Sequence, residues 1–66
     1  MNEHIIFDAE GTRYDLVLVS DPYGGILVIW PATGQVWRWH RDDRLKPLGN
    51  NNEHDGHNIF QFLESL

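Results

Sequence analysis

The sequence predicts an α+β domain: a four-stranded antiparallel β-meander, strand order 1-2-3-4, with one short C-terminal helix packed on one face. Two observations predict it. Three turn-forming clusters, Asp8-Ala9-Glu10-Gly11, Asp21-Pro22-Tyr23-Gly24-Gly25 and Pro31-Ala32-Thr33-Gly34, punctuate the first forty residues. Connections this short join antiparallel strands, because a parallel return needs a crossover of about a dozen residues. Apolar residues take helical spacing only at the C-terminus.

Residues 4–7, His-Ile-Ile-Phe, open the meander as a run of strand formers. Residues 12–20 form the longest candidate, β-branched and aromatic through most of its length. Pro22 sets φ for the turn that follows, and Gly24 and Gly25 accept positive φ. Residues 26–30 are apolar at every position, and residues 35–40 alternate. From 41 to 58 the pattern becomes loop chemistry, with Pro47, Gly49 and Asn50-Asn51-Asn52, and Leu45 and Leu48 are its two anchors to the body. In residues 59–66, Ile59, Phe62, Leu63 and Leu66 share one helical face, with Asn58 or Asp55 as cap. An isolated helix so short is marginal, so it must dock on the sheet. The chain is therefore one domain over residues 1–66: meander 1–40, loop 41–58 and helix 59–66.

A four-residue third turn sets Trp30 opposite Gln35, Val28 opposite Trp37 and Ile26 opposite Trp39. Directly opposed residues share a face. One face then carries Ile26, Val28, Trp30, Trp37 and Trp39, the expected bed for the helix, since aromatics dominate core burial. The other carries Leu27, Ile29, Val36, Arg38 and His40. Strand two has Tyr14, Leu16 and Leu18 on one side and Val17 and Val19 on the other; a one-residue slip at the second turn exchanges which set meets which face. Either way both faces are apolar, with a single helix to cover them. The sheet can curl into a half-barrel, pair with a second copy, or present the face to another protein.

The bulk composition narrows the function. Sixty-six residues bury only a thin core, and with no cysteine, disulfides and thiolate metal sites are excluded. The net charge is −5, which disfavours non-specific binding to nucleic acid or anionic membranes. The start Met1-Asn2-Glu3-His4 has neither the basic residues nor the apolar run of a signal peptide, and the apolar run 26–30 is too short to span a bilayer. A soluble cytoplasmic protein is expected.

Chemistry-bearing constellations are few. Ser20 and Ser65 are the only serines; neither has a neighbouring His or sits in a Gly-x-Ser-x-Gly elbow. Gly24-Gly25 precedes a strand, not the helix N-terminus a phosphate loop needs. No enzyme and no cofactor are expected. His54 and His57, with Glu53 and Asp55 beside them, are weak candidates for a metal, better read as a polar lead into the helix. Trp37, Arg38, Trp39, Arg41, Arg44 and Lys46 mix aromatic and basic side chains as a single-strand nucleic-acid platform does. Two tryptophans two residues apart are also the spacing of core residues on one strand face, the favoured reading.

The leading expectation is a small acidic, non-enzymatic protein-binding module, of the kind bacteriophages and mobile elements use to inhibit host defence proteins. The expected contact residues are Tyr14, Leu16, Leu18, Tyr23, Leu27, Ile29 and Arg38. The alternative functional reading is single-stranded nucleic-acid binding, and a homodimer is the alternative partner.

Overall fold

A computed structural model describes residues 2–40 and 44–66. Strands β1 (Asn2–Ala9), β2 (Thr12–Ser20), β3 (Ile26–Trp30), β4 (Gln35–Trp39) and β5 (Lys46–Pro47) form one antiparallel sheet in chain order, followed by helix α1 (Glu53–Glu64). The sheet is open rather than closed into a barrel, and none of the described helical residues makes a helix long and apolar enough to cross a membrane. The antiparallel meander with one C-terminal helix stands as the sequence implies, with three corrections.

The first is a fifth strand inside the expected 41–58 loop, where Arg38 pairs with Lys46 and Trp37 with Pro47. Leu45 packs against the core, but Leu48 stays largely exposed. Residues 41–43 of that loop lie outside the described residues. The second is the length of β1, which extends through Asp8 and Ala9 to a two-residue turn with positive φ at Glu10 (51°) and Gly11 (79°). Two positive φ values in a two-residue hairpin match the right-handed twist of the strands.

The third concerns the helix, which starts at Glu53 rather than residue 59. Its cap is Asn52, whose Oδ1 accepts the backbone N–H groups of His54 (2.8 Å) and Asp55 (3.3 Å). Glu53 and Asp55 place negative charge at the positive end of the helix dipole. The residues that look like loop, Gly56 and Asn58, are the ones turned toward the sheet. A Cβ on Gly56 would stand 3.0 Å from the Trp37 indole nitrogen, so glycine there permits close approach. Asn58 is buried. Leu66, expected on the apolar face, lies beyond the helix end and is exposed.

The third turn has the register argued from sequence: Trp30 faces Gln35, Val28 faces Trp37 and Ile26 faces Trp39. The second turn sets Leu18 opposite Val28 and Val17 opposite Ile29. Tyr14, Leu16 and Leu18 therefore join Val28, Trp30 and Trp37 under the helix, and with Ile59 and Leu63 they make up the core. Stacked and tilted rings run from Phe62 through Phe7 and Tyr14 to Trp30, with centroids 4.0, 4.9 and 4.8 Å apart.

The helix is also fixed by polar contacts. The Tyr14 hydroxyl donates to Asp55 Oδ1 (2.8 Å) and accepts from Asn58 Nδ2 (3.0 Å). Gln35 donates to Asp55 Oδ2 (3.1 Å) and accepts the Asn52 backbone N–H (2.6 Å). Glu10 accepts from Asn58 (3.4 Å) and pairs with His54. Burial, the largest influence, raises the Tyr14 pKa; the Asn58 amide opposes the shift, and nearby Asp55 and Glu10 add to it.

Tyr14→Phe removes the hydroxyl and leaves buried partners on the helix short of a bond, so a loss of about 1–2 kcal/mol in denaturant melts is expected. Folding raises this pKa, so the protonated phenol contributes stability below its unfolded value, about 10. That contribution is lost as pH rises through the higher folded value. The alkaline fall in melting temperature should therefore be shallower in Tyr14→Phe than in the native chain.

Candidate interaction surface

Strand alternation puts a second set of side chains on the face away from α1. From the register these are Asn2, His4, Ile6 and Asp8 of β1, Arg13, Asp15, Val17 and Val19 of β2, Leu27 and Ile29 of β3, and Val36 and Arg38 of β4. Lys46 follows beside Arg38, and one step further the Val36 carbonyl accepts the Leu48 N–H at 2.9 Å. Val17, Val19, Leu27, Ile29 and Val36 are each half-buried and stand outside the core cluster. Ile6 is 48% exposed. The outcome is an apolar patch across β2, β3 and β4, on the side of the sheet that the helix does not cover, with Ile6 of β1 set opposite Asp15.

Ionic contacts border the patch. His4 pairs with Asp15 at the β1–β2 side. At the β3–β4 side, Arg38 Nε lies 2.7 Å from Asp21 Oδ2. That contact is an ion pair rather than a directed hydrogen bond, since neither atom meets hydrogen-bond geometry. The Asp21 side chain is buried, and its other oxygen accepts the Tyr23 backbone N–H (3.0 Å), folding the turn back on itself. The Asp21 carbonyl accepts from Gly24 (3.0 Å), and the Asp21 N–H reaches the Gly25 carbonyl (3.1 Å). Gly25 has φ +86°, and a Cβ there would come within 2.7 Å of His40 Nδ1 and 2.8 Å of the Trp39 carbonyl. This tight turn presents Tyr23 at its tip, 88% exposed.

Asp21 is held below the ordinary carboxylate range, first by the Tyr23 N–H and then, against the opposing effect of its burial, by Arg38. The Arg38 guanidinium is thereby held beside Leu27 at the rim of the patch.

No family model, curated protein or solved structure matches the chain. The site is therefore read from its own residues.

The expected contact residues divide into two groups. Leu27, Ile29 and Arg38 share the uncovered face, and Tyr23 projects from the adjoining turn. Tyr14, Leu16 and Leu18 belong to the opposite face and are 0%, 0% and 6% exposed, so the structure corrects their assignment from contact surface to core. Their places are taken by Val17 and Val19. The signal for that exchange is present in the chain: Tyr14 belongs with the aromatic side of the sheet, because a large ring gains most from burial under the helix.

The aromatic–basic platform is not assembled. Trp37 is 2% exposed beneath the helix, and Trp39 packs on the same core, while Arg38 points to the other face. Arg44 is exposed, and Lys46 is exposed on β5; Arg41 lies outside the described residues. His54 and His57 are exposed on the first two turns of α1, where His54 contacts Glu10. His57 lines a shallow groove of about 320 Å³ with Arg44, Leu45, Gly56, Phe60, Gln61 and Glu64. Among the described residues no three His, Asp or Glu side chains are grouped to hold a metal.

Folding lowers the Asp21 pKa, so its charge contributes stability in full above the unfolded value of about 3.9 and loses it as pH falls through the lower folded value. Asp21→Asn is expected to be less stable than the native chain at neutral pH. The gap should close as the melts are taken below about pH 4; a gap unchanged down to pH 2 would contradict this role.

Proposed function

We propose that this chain is a small non-enzymatic protein-binding module whose partner docks on the uncovered sheet face. One observation carries the reading: Val17, Val19, Leu27, Ile29 and Val36 form an apolar patch spanning three adjacent strands, on the side opposite α1. A contiguous apolar patch bordered by polar groups is the usual mark of a protein contact. Its surroundings have interface anatomy as well, with Arg38 and Lys46 at the margin and an exposed tyrosine at the turn tip. Arg and Tyr are the residue types that most often anchor such contacts. Burial of Asp21 fixes the Arg38 head in place before binding, which reduces the ordering cost of using it as an anchor.

Ser20 is at the end of β2, and Ser65 bonds its own helix end through the Phe62 carbonyl. The proposed mode of action is occupation of a partner's surface, the mode of an acidic inhibitor directed at a host protein.

Leu27 lies at the centre of the patch and outside the core, so Leu27→Asp should leave the thermal melt within a few degrees of native. Partner affinity should fall at least about tenfold, as for loss of a central contact. The measurement is paired capture from a lysate of cells that express the protein, using the native chain and Leu27→Asp as baits and quantifying what each retains. Equal recovery of all partners on both baits, or collapse of the variant's fold, would defeat the reading.

A further inference from the structure

The two edges of the sheet differ in construction. β5 is only two residues, Lys46–Pro47, and this pair resists strand addition: lysine brings charge, and proline lacks the N–H a neighbour would need. At the other edge β1 runs eight residues and pairs with β2 at every position without a bulge. It contains no Pro, Gly, Lys or Arg. Its outward backbone groups therefore form a long, regular template for another strand.

We propose that β1 pairs antiparallel with β1 of a second copy, joining two five-stranded sheets into one across a two-fold axis. The registers of this strand against itself identify the occupant. Opposed residues must lie on the same face, so only residues an even number apart can meet. With the axis at Ile6, Ile6 meets Ile6, Ile5 meets Phe7, Glu3 meets Ala9 and His4 meets Asp8. With the axis at Ile5, Glu3 meets Phe7 and His4 meets Ile6. With the axis at Phe7, Ile6 meets Asp8. Only the Ile6-centred register gives Ile5, Ile6 and Phe7 all apolar partners and sets the base His4 against the acid Asp8.

The same register accounts for Ile6, a β-branched residue left 48% exposed at a sheet edge. It also seats His4 between Asp15 of its own chain and Asp8 of the second copy, two carboxylates around one imidazole. The axis stands perpendicular to the sheet, so both helices lie on one side. On the other side the two uncovered faces become continuous. The pairing uses the edge and not the face, and so stands independently of the protein-binding reading.

The test is sedimentation and light scattering of the full chain from micromolar to millimolar concentration. The native chain should pass from monomer to dimer, and Ile6→Lys, which puts two ammonium groups on the axis, should raise the midpoint at least tenfold. Ile6→Thr keeps the β-branch and should raise it less. Ile6 stands outside the core cluster, so both variants should melt as the native chain does. In the native chain, amide exchange in β1 should slow as concentration rises. A native chain that stays monomeric throughout, or a dimer that survives Ile6→Lys, would overturn the proposal; dissociation by Leu27→Asp alone would place the second copy on the open face instead.

Discussion

The Tyr14 hydroxyl ties the sheet to the helix. A phenol ring this large gains most from full burial, but its oxygen cannot be buried without partners. Its partners come from the helix, Asp55 and Asn58. These lie three residues apart and so face the same way from α1. Once they bond Tyr14, the rotation of the helix and its position along β2 are both determined. Gln35 extends the same network to Asp55 and to the chain just before Glu53, while Glu10 reaches Asn58 from the first turn. The polar contacts at the helix N-terminal half and the ring stack from Phe62 to Trp30 at its C-terminal half act on the same face.

Covering one face leaves the other uncovered, and a single twelve-residue helix cannot do otherwise. The aromatic rings are not shared evenly between the faces. Every tryptophan, with Tyr14 and Phe7, lies toward the helix, while the opposite face carries Val17, Val19, Leu27, Ile29 and Val36 among the polar residues His4, Asp15 and Arg38. The Asp21–Arg38 pair at the margin is also turn architecture: Asp21 shapes the β2–β3 connection through Tyr23 and holds Arg38 with its other oxygen. Fold and surface thus share the same carboxylate.

Much of the sheet was legible because its signals are local. The strands at 12–20 and 26–30, and the third turn with its register, follow from runs of strand formers and from the positions of Pro and Gly. The start of α1 was not legible, since Gly56 and Asn58 read as loop by propensity. Their presence in the helix depends on Trp37 and Tyr14, residues far away in sequence. β5 was missed for a similar reason: a two-residue strand with proline has no pattern of its own and exists only as an addition to β4.

The candidate site divides along the same line. That both faces of the central strands are apolar is a property of the chain alone, because side chains alternate whatever the strands pack against. Which set of β2 residues joined Leu27 and Ile29 on the outside was decided by tertiary structure, through the five residues of the second turn and the partners Tyr14 found on α1. A register shift of one residue changes no local preference yet exchanges the two faces. Sequence therefore determined that there would be a surplus of apolar surface, and only the folded packing determined whose surface it is.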